Sequence, residues 1–123
     1  MTDTTARAAA ERWLADHGYD PSEYTFRRFV TQVWPSVAER HPDAEDAATR
    51  DAALVAAARY LAGALTPADA GRTLARARAR ATAALAAARQ VAVMAVADGA
   101  SEAETARDVG VDRMALRRWL GKR

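Results

Sequence analysis

The sequence predicts an all-α fold, a helical bundle followed by a three-helix C-terminal arrangement, and three observations predict it. More than a quarter of the 123 residues are alanine, the best helix former. Apolar residues recur at i, i+3 and i+4, while runs of β-branched or alternating apolar residues are absent, so strands have almost no support. Ser, Thr, Asp and Pro stand where such segments begin and Gly where they end.

Thr5 to His17 reads as a first helix, with Ala6, Ala9, Ala10, Trp13 and Leu14 on one face and Gly18 as its stop. Trp13 is expected to anchor the core. Pro21 and Ser22 open a second helix in which Phe26, Phe29, Val30, Val33, Trp34 and Val37 make the strongest apolar stripe in the chain. Pro35 falls inside that stripe. Proline has no N–H and its ring collides with the carbonyl four residues earlier, so a kink or restart is expected near Trp34.

His41-Pro42-Asp43 is a break, and Asp43, Glu45 and Asp46 fit the first turn of a third helix, at the positive end of its dipole. These acids lack a histidine ligand pattern, so no metal site is expected there. The third helix is expected to run to about Leu65, with Leu54, Val55, Ala58, Leu61, Ala62 and Leu65 facing the core. Thr66-Pro67-Ala68-Asp69 then supplies a cap followed by proline at the first helical position.

From Pro67 the helical pattern continues to Asp98, about 30 residues and so about 45 Å if unbroken. Leu74, Ala77, Ala81, Leu85, Ala88, Val91, Ala92 and Ala95 mark a weak apolar seam along it. Arg72, Arg76 and Arg80 form a stripe at i, i+4 and i+8, which reads either as a solvated face or as a rail for phosphates. Its last turns, Arg89 to Ala97, are expected to belong to the C-terminal unit and to couple it rigidly to the bundle. The expected division is therefore residues 1–66, a bundle for dimerisation or partner binding, and residues 67–123, a connecting helix and the C-terminal unit.

After Gly99, Ser101 is a good N-cap and Glu104 completes a capping box, so a short helix starts here. Gly110 follows Val109 where a helix would end in a left-handed residue. Asp112 can cap a second helix, Arg113 to Leu120, closed by Gly121. At about 100° per residue, Ala115, Leu116, Trp119 and Leu120 fall on one side of it, and Arg113, Met114, Arg117 and Arg118 on the other. Ala106 stands where the two helices must cross closely, and Val109, Val111, Leu116 and Trp119 are expected to form the wedge between them.

Thr105-Ala106-Arg107-Asp108-Val109-Gly110-Val111, with Leu116 five residues on, resembles the helix-turn-helix of lambdoid phage repressors and of the DNA-binding ends of Hin-type recombinases. The resemblance covers about residues 89–121, and Trp119 is bulkier than the aliphatic residue usual at its position. It implies a second helix lying in the major groove, with Asp112, Arg113, Met114 and Arg117 at base edges. Ser101, Arg118, Lys122 and Arg123 are expected to meet phosphates. Ala106, Val109, Gly110, Val111, Leu116 and Trp119 make the core of the motif.

Charge is divided unevenly behind a net +2: residues 1–70 carry 11 acidic and 7 basic side chains (−4), whereas residues 71–123 carry 5 and 11 (+6). Such asymmetry fits a polyanion partner for the C-terminal half. Codon bias in a GC-rich genome would also produce it, because arginine outnumbers lysine seventeen to one. With no cysteine there is no disulfide, thiolate metal site or thiol nucleophile. Met-Thr-Asp-Thr-Thr lacks the basic and apolar regions of a signal peptide, so a cytoplasmic, nucleoid-associated location is expected. Ala81 to Ala97 is too short and too rich in alanine to span a bilayer, and no membrane role is expected.

His17 and His41 sit at breaks, outside any metal-ligand spacing, and no hydrolase, phosphate-loop or dinucleotide motif is present. No enzyme, cofactor or metal is expected. The leading expectation is a sequence-specific regulator of transcription, a repressor, that binds double-stranded DNA as a homodimer because a bare motif gives too few contacts alone. Two alternatives stay open: a DNA-binding accessory of a recombination or conjugation system, and a helical protein-protein interaction module working through the N-terminal helices.

Overall fold

The computed structural model describes residues 3–122, and every regular element among them is helical. The chain is all-α. It divides into two compact units, Met1–Ala70 and Gly71–Arg123, so the division falls a turn inside the long helix rather than at its start.

In the first unit, α1 (Asp3–Asp16) buries Ala10 and Leu14 and keeps Trp13 half-buried. The Trp13 indole N–H donates to Asp51 Oδ1 at 3.1 Å, which satisfies its one polar atom. Phe29 is fully buried, stacked on Trp13 with ring centroids 5.1 Å apart and tilted against Trp34 at 6.3 Å. Tyr19 and Phe26 form a further pair at 4.9 Å.

The expected second helix is present as three pieces: a 3-10 turn at Tyr24–Phe26, a π-helical turn at Phe29–Val33, and α2 (Trp34–Arg40). Pro35 explains the division. It gives no N–H to the carbonyl of Thr31 and its ring needs room there, and widening the preceding turn so that Trp34 N–H donates to Phe29 O provides that room. Phe26, Phe29 and Val37 remain buried throughout.

A 3-10 turn at Ala44–Asp46 leads into α3 (Ala47–Leu61). Arg50 ties down the preceding loop by donating from Nε to His41 O at 2.8 Å and from Nη2 to Asp43 O at 2.7 Å. The helix stops four residues short of the expected Leu65. Gly63 takes φ 78°, and Ala64 N–H donates to Arg59 O at 2.8 Å, the left-handed termination that glycine adopts without a Cβ penalty. Ala62 is consequently exposed, whereas Leu54 and Ala58 are buried.

The long helix α4 (Pro67–Ala97) begins with a reciprocal cap: Asp69 N–H donates to Thr66 Oγ1 at 3.1 Å, and Thr66 N–H donates to Asp69 Oδ2 at 3.2 Å. Residues 70–87 are exposed on every side. Leu74, Ala77, Ala81 and Leu85, expected in the seam, are therefore uncovered, and burial begins only near Ala88 and Ala92. The reason within this unit is length, because α5 (Glu102–Val109) and α6 (Arg113–Trp119) have 8 and 7 residues and cover only the last turns of α4. Ala92, Ala106 and Leu116 are the buried centre, with Val96, Val109, Val111, Trp119 and Leu120 packed around them.

Candidate nucleic-acid interface

Each helix of the C-terminal pair is positioned by its own cap. Ser101 is extended (φ −71°, ψ 147°), and its hydroxyl accepts from Glu104 N–H at 3.1 Å. Gly110, in the left-handed region at φ 82° and ψ 30°, turns the chain, with its own N–H and that of Val111 both donating to Ala106 O at 3.0 Å. A Cβ at Gly110 would meet no atom within 4 Å, so the requirement is conformational and not steric. Asp112 then caps α6, its Oδ1 accepting from Ala115 N–H at 2.7 Å.

These caps fix the rotation of α6. Leu116 is turned fully inward onto Ala92 and Ala106, while Trp119 is half-buried. Asp112, Arg113, Met114 and Arg118 face outward, with Met114 58% exposed. The outward surface thus carries two guanidinium groups and a thioether, with the carboxylate of Asp112 engaged in the cap.

Arg117 and Lys122 depart from expectation. Arg117, expected on the outer face, has only 30% of its side chain exposed, and its Nη1 lies 3.1 Å from Glu102 Oε1. Lys122, expected at a phosphate, donates from Nζ to Glu102 Oε2 at 3.3 Å. The physical reason is the crossing of α5 and α6, which brings the last turn of α6 beside the first turn of α5, where the Glu102 side chain is 17% exposed. The hydrogen bond from Lys122 holds the Glu102 carboxyl below the usual glutamate range, with the charges of Lys122, Arg117 and Arg113 acting in the same direction against the opposing effect of burial.

The partners of Glu102 escaped the sequence reading because they lie 15 and 20 positions away, beyond any local spacing rule. The usable signal was an acid in the first turn of one short helix and cations in the last turn of a helix crossing it. Thr105, which opens the motif run, is buried beside Ala106, a burial the sequence reading did not predict. Arg76 and Arg80 are exposed on α4, as is Arg72, whereas Arg123 lies outside the described residues.

The chain was compared with known proteins at the level of family models, curated sequences and solved structures. None of the three matches it. Among the described residues, no group of three or more His, Asp or Glu side chains could hold a metal ion, and no helix is long and apolar enough to cross a membrane. His17, stacked on Trp13 at 3.7 Å with Nδ1 2.7 Å from Trp13 O, closes the end of α1.

Proposed function

We propose that this chain is a sequence-specific double-stranded-DNA-binding regulator of transcription, a repressor that acts as a homodimer and reads the major groove with α6. One observation carries the reading. Two capped helices meet through a left-handed glycine so that Leu116 is buried on one side of α6 while Arg113, Met114 and Arg118 stand outward on the other. This supports the reading, because a helix-turn-helix presents one face of its second helix to the groove and packs the other.

Arg113, in the first turn of α6, can pair with the O6 and N7 of guanine, and Met114 can contact a thymine methyl. Arg118, about 100° around the helix from the position of Arg117, is placed for the phosphate wall. The exposed Arg76 and Arg80 on α4 suit the same backbone role. A pair of such helices would enter successive major grooves about 34 Å, or ~10 bp, apart.

Selection of bound fragments from random DNA tests the reading. A two-fold symmetric consensus with half-sites about 10 bp apart is expected, and recovery of no enriched sequence overturns it. A second reading, a helical protein-interaction module, is favoured by an open groove of about 960 Å³ in the N-terminal unit, lined by Arg7, Pro21, Tyr24, Arg27, Val30 and Pro35. A failed selection would turn attention to that groove.

A further inference from the structure

We infer that Glu102 determines which cations of the C-terminal unit meet DNA: it withholds Arg117 and Lys122 from the phosphate backbone and leaves base reading to Arg113. This inference rests on the DNA-binding reading above and concerns the regulation of that same surface.

Both oxygens of the Glu102 carboxylate are used, Oε1 by Arg117 at 3.1 Å and Oε2 by Lys122 at 3.3 Å. The site differs from an ordinary surface pair. Arg7 and Glu11, one turn apart on α1, leave 73% and 42% of their side chains exposed, whereas Glu102 leaves 17%, Arg117 leaves 30% and Lys122, the outer partner, leaves 47%. A phosphate approaching Arg117 or Lys122 must displace a carboxylate that is tethered in place by the fold, and a tethered competitor acts at a high effective concentration. Arg113 and Arg118 are both exposed, and the Glu102 carboxylate reaches Arg113 through charge alone, whereas it takes hydrogen bonds from Arg117 and Lys122.

The consequence is a gain in discrimination. Non-specific affinity grows with the number of phosphates neutralised, each adding about 0.9 to the slope of log affinity against log salt. Withholding two cations weakens binding to every sequence alike, while the contact between Arg113 and a base edge still distinguishes sequences. Against a genome of competing sites, the ratio of specific to non-specific binding governs occupancy. Glu102 is in this sense a specificity-determining residue that touches no base.

The test measures fluorescence anisotropy of a labelled 20-bp random-sequence duplex titrated with the full chain at several salt concentrations. Glu102→Gln is expected to bind on the order of tenfold more tightly at low salt and to steepen the salt slope by about two units. Adding Arg117→Gln and Lys122→Gln to that variant should return the slope to the wild-type value. If Glu102→Gln folds poorly, Glu102→Asp, which keeps the first-turn charge but shortens the reach by one methylene, should give an intermediate slope. An unchanged slope in a folded Glu102 variant, with the wild type binding normally, overturns the inference and leaves the DNA-binding reading standing. Absence of binding by the wild type and by Glu102→Gln at low salt removes both.

Discussion

The two units of this chain are held together by different means. In the N-terminal unit, large side chains carry the fold: Leu14 and Phe29 are fully buried, the rings of Trp13, Phe29 and Trp34 pack in sequence, and neither α2 nor α3 has a side-chain hydrogen bond at its N-cap. The C-terminal unit buries only Ala92, Ala106 and Leu116 at its centre, yet α5 and α6 are both capped by side chains and joined by a left-handed glycine. A unit with a small core depends on local backbone chemistry to fix its helices. One with a large aromatic core can tolerate a proline inside its main apolar stripe, because packing outweighs the lost hydrogen bond.

The sharpest way to break this comparison is at the two core centres. Phe29→Ala should destabilise the N-terminal unit by about 3–5 kcal/mol, and Leu116→Ala the C-terminal unit by about 2–5 kcal/mol. Urea unfolding followed by tryptophan fluorescence reports both, through Trp13 and Trp34 in the first case and Trp119 in the second. A Phe29→Ala loss below about 1 kcal/mol, far under the usual range, would show that the aromatic cluster does not centre on this ring.

Backbone chemistry comes next. Gly110→Val places a β-branched residue at φ 82° and should cost about 1–3 kcal/mol through strain, with loss of any DNA affinity following from the displaced α6. A variant with an unaltered melting temperature and full affinity would show that the turn does not govern the orientation of α6.

Smaller still are the caps. Ser101→Ala and Asp112→Ala should each cost ~1 kcal/mol. Asp46→Ala, at the N-cap of α3 where no side-chain bond forms, should lose only the dipole contribution, nearer ~0.3 kcal/mol. Equal losses at all three positions would erase the distinction between the units.

The smallest expected effect is on the pH dependence of the melt. Because folding lowers the Glu102 pKa, the stabilisation it contributes is fully present above its ordinary value of 4.5 and is lost as the pH falls through the lowered value. Asp20, lowered by hydrogen bonds from the Ser22 hydroxyl and backbone N–H, behaves in the same way in the N-terminal unit above 3.8. Glu102→Gln and Asp20→Asn should each flatten the acid limb of the melting curve. A melting temperature that falls as steeply with acid in Glu102→Gln as in the wild type would show that the Lys122 and Arg117 contacts do not persist in solution.

Sequence alone determined the helical class and most element ends, because these follow from short-range rules. Alanine content favours helix, Thr66, Ser101 and Asp112 cap through groups three residues away, and Gly110 accepts a positive φ that other residues resist. It also placed Ala106 and Leu116 in the centre of the C-terminal unit, since the two faces of α6 are already separated by the helical period. Only the tertiary structure decided the rest. The exposure of Leu74 and Leu85 depends on how little of α4 the short helices cover, the hydrogen bond from Trp13 to Asp51 on the packing of α1 against α3, and the ion pairs of Glu102 on the crossing of α5 and α6. Each of these is a relation between residues distant in the chain, and periodicity along one helix carries no information about what a second helix brings against it.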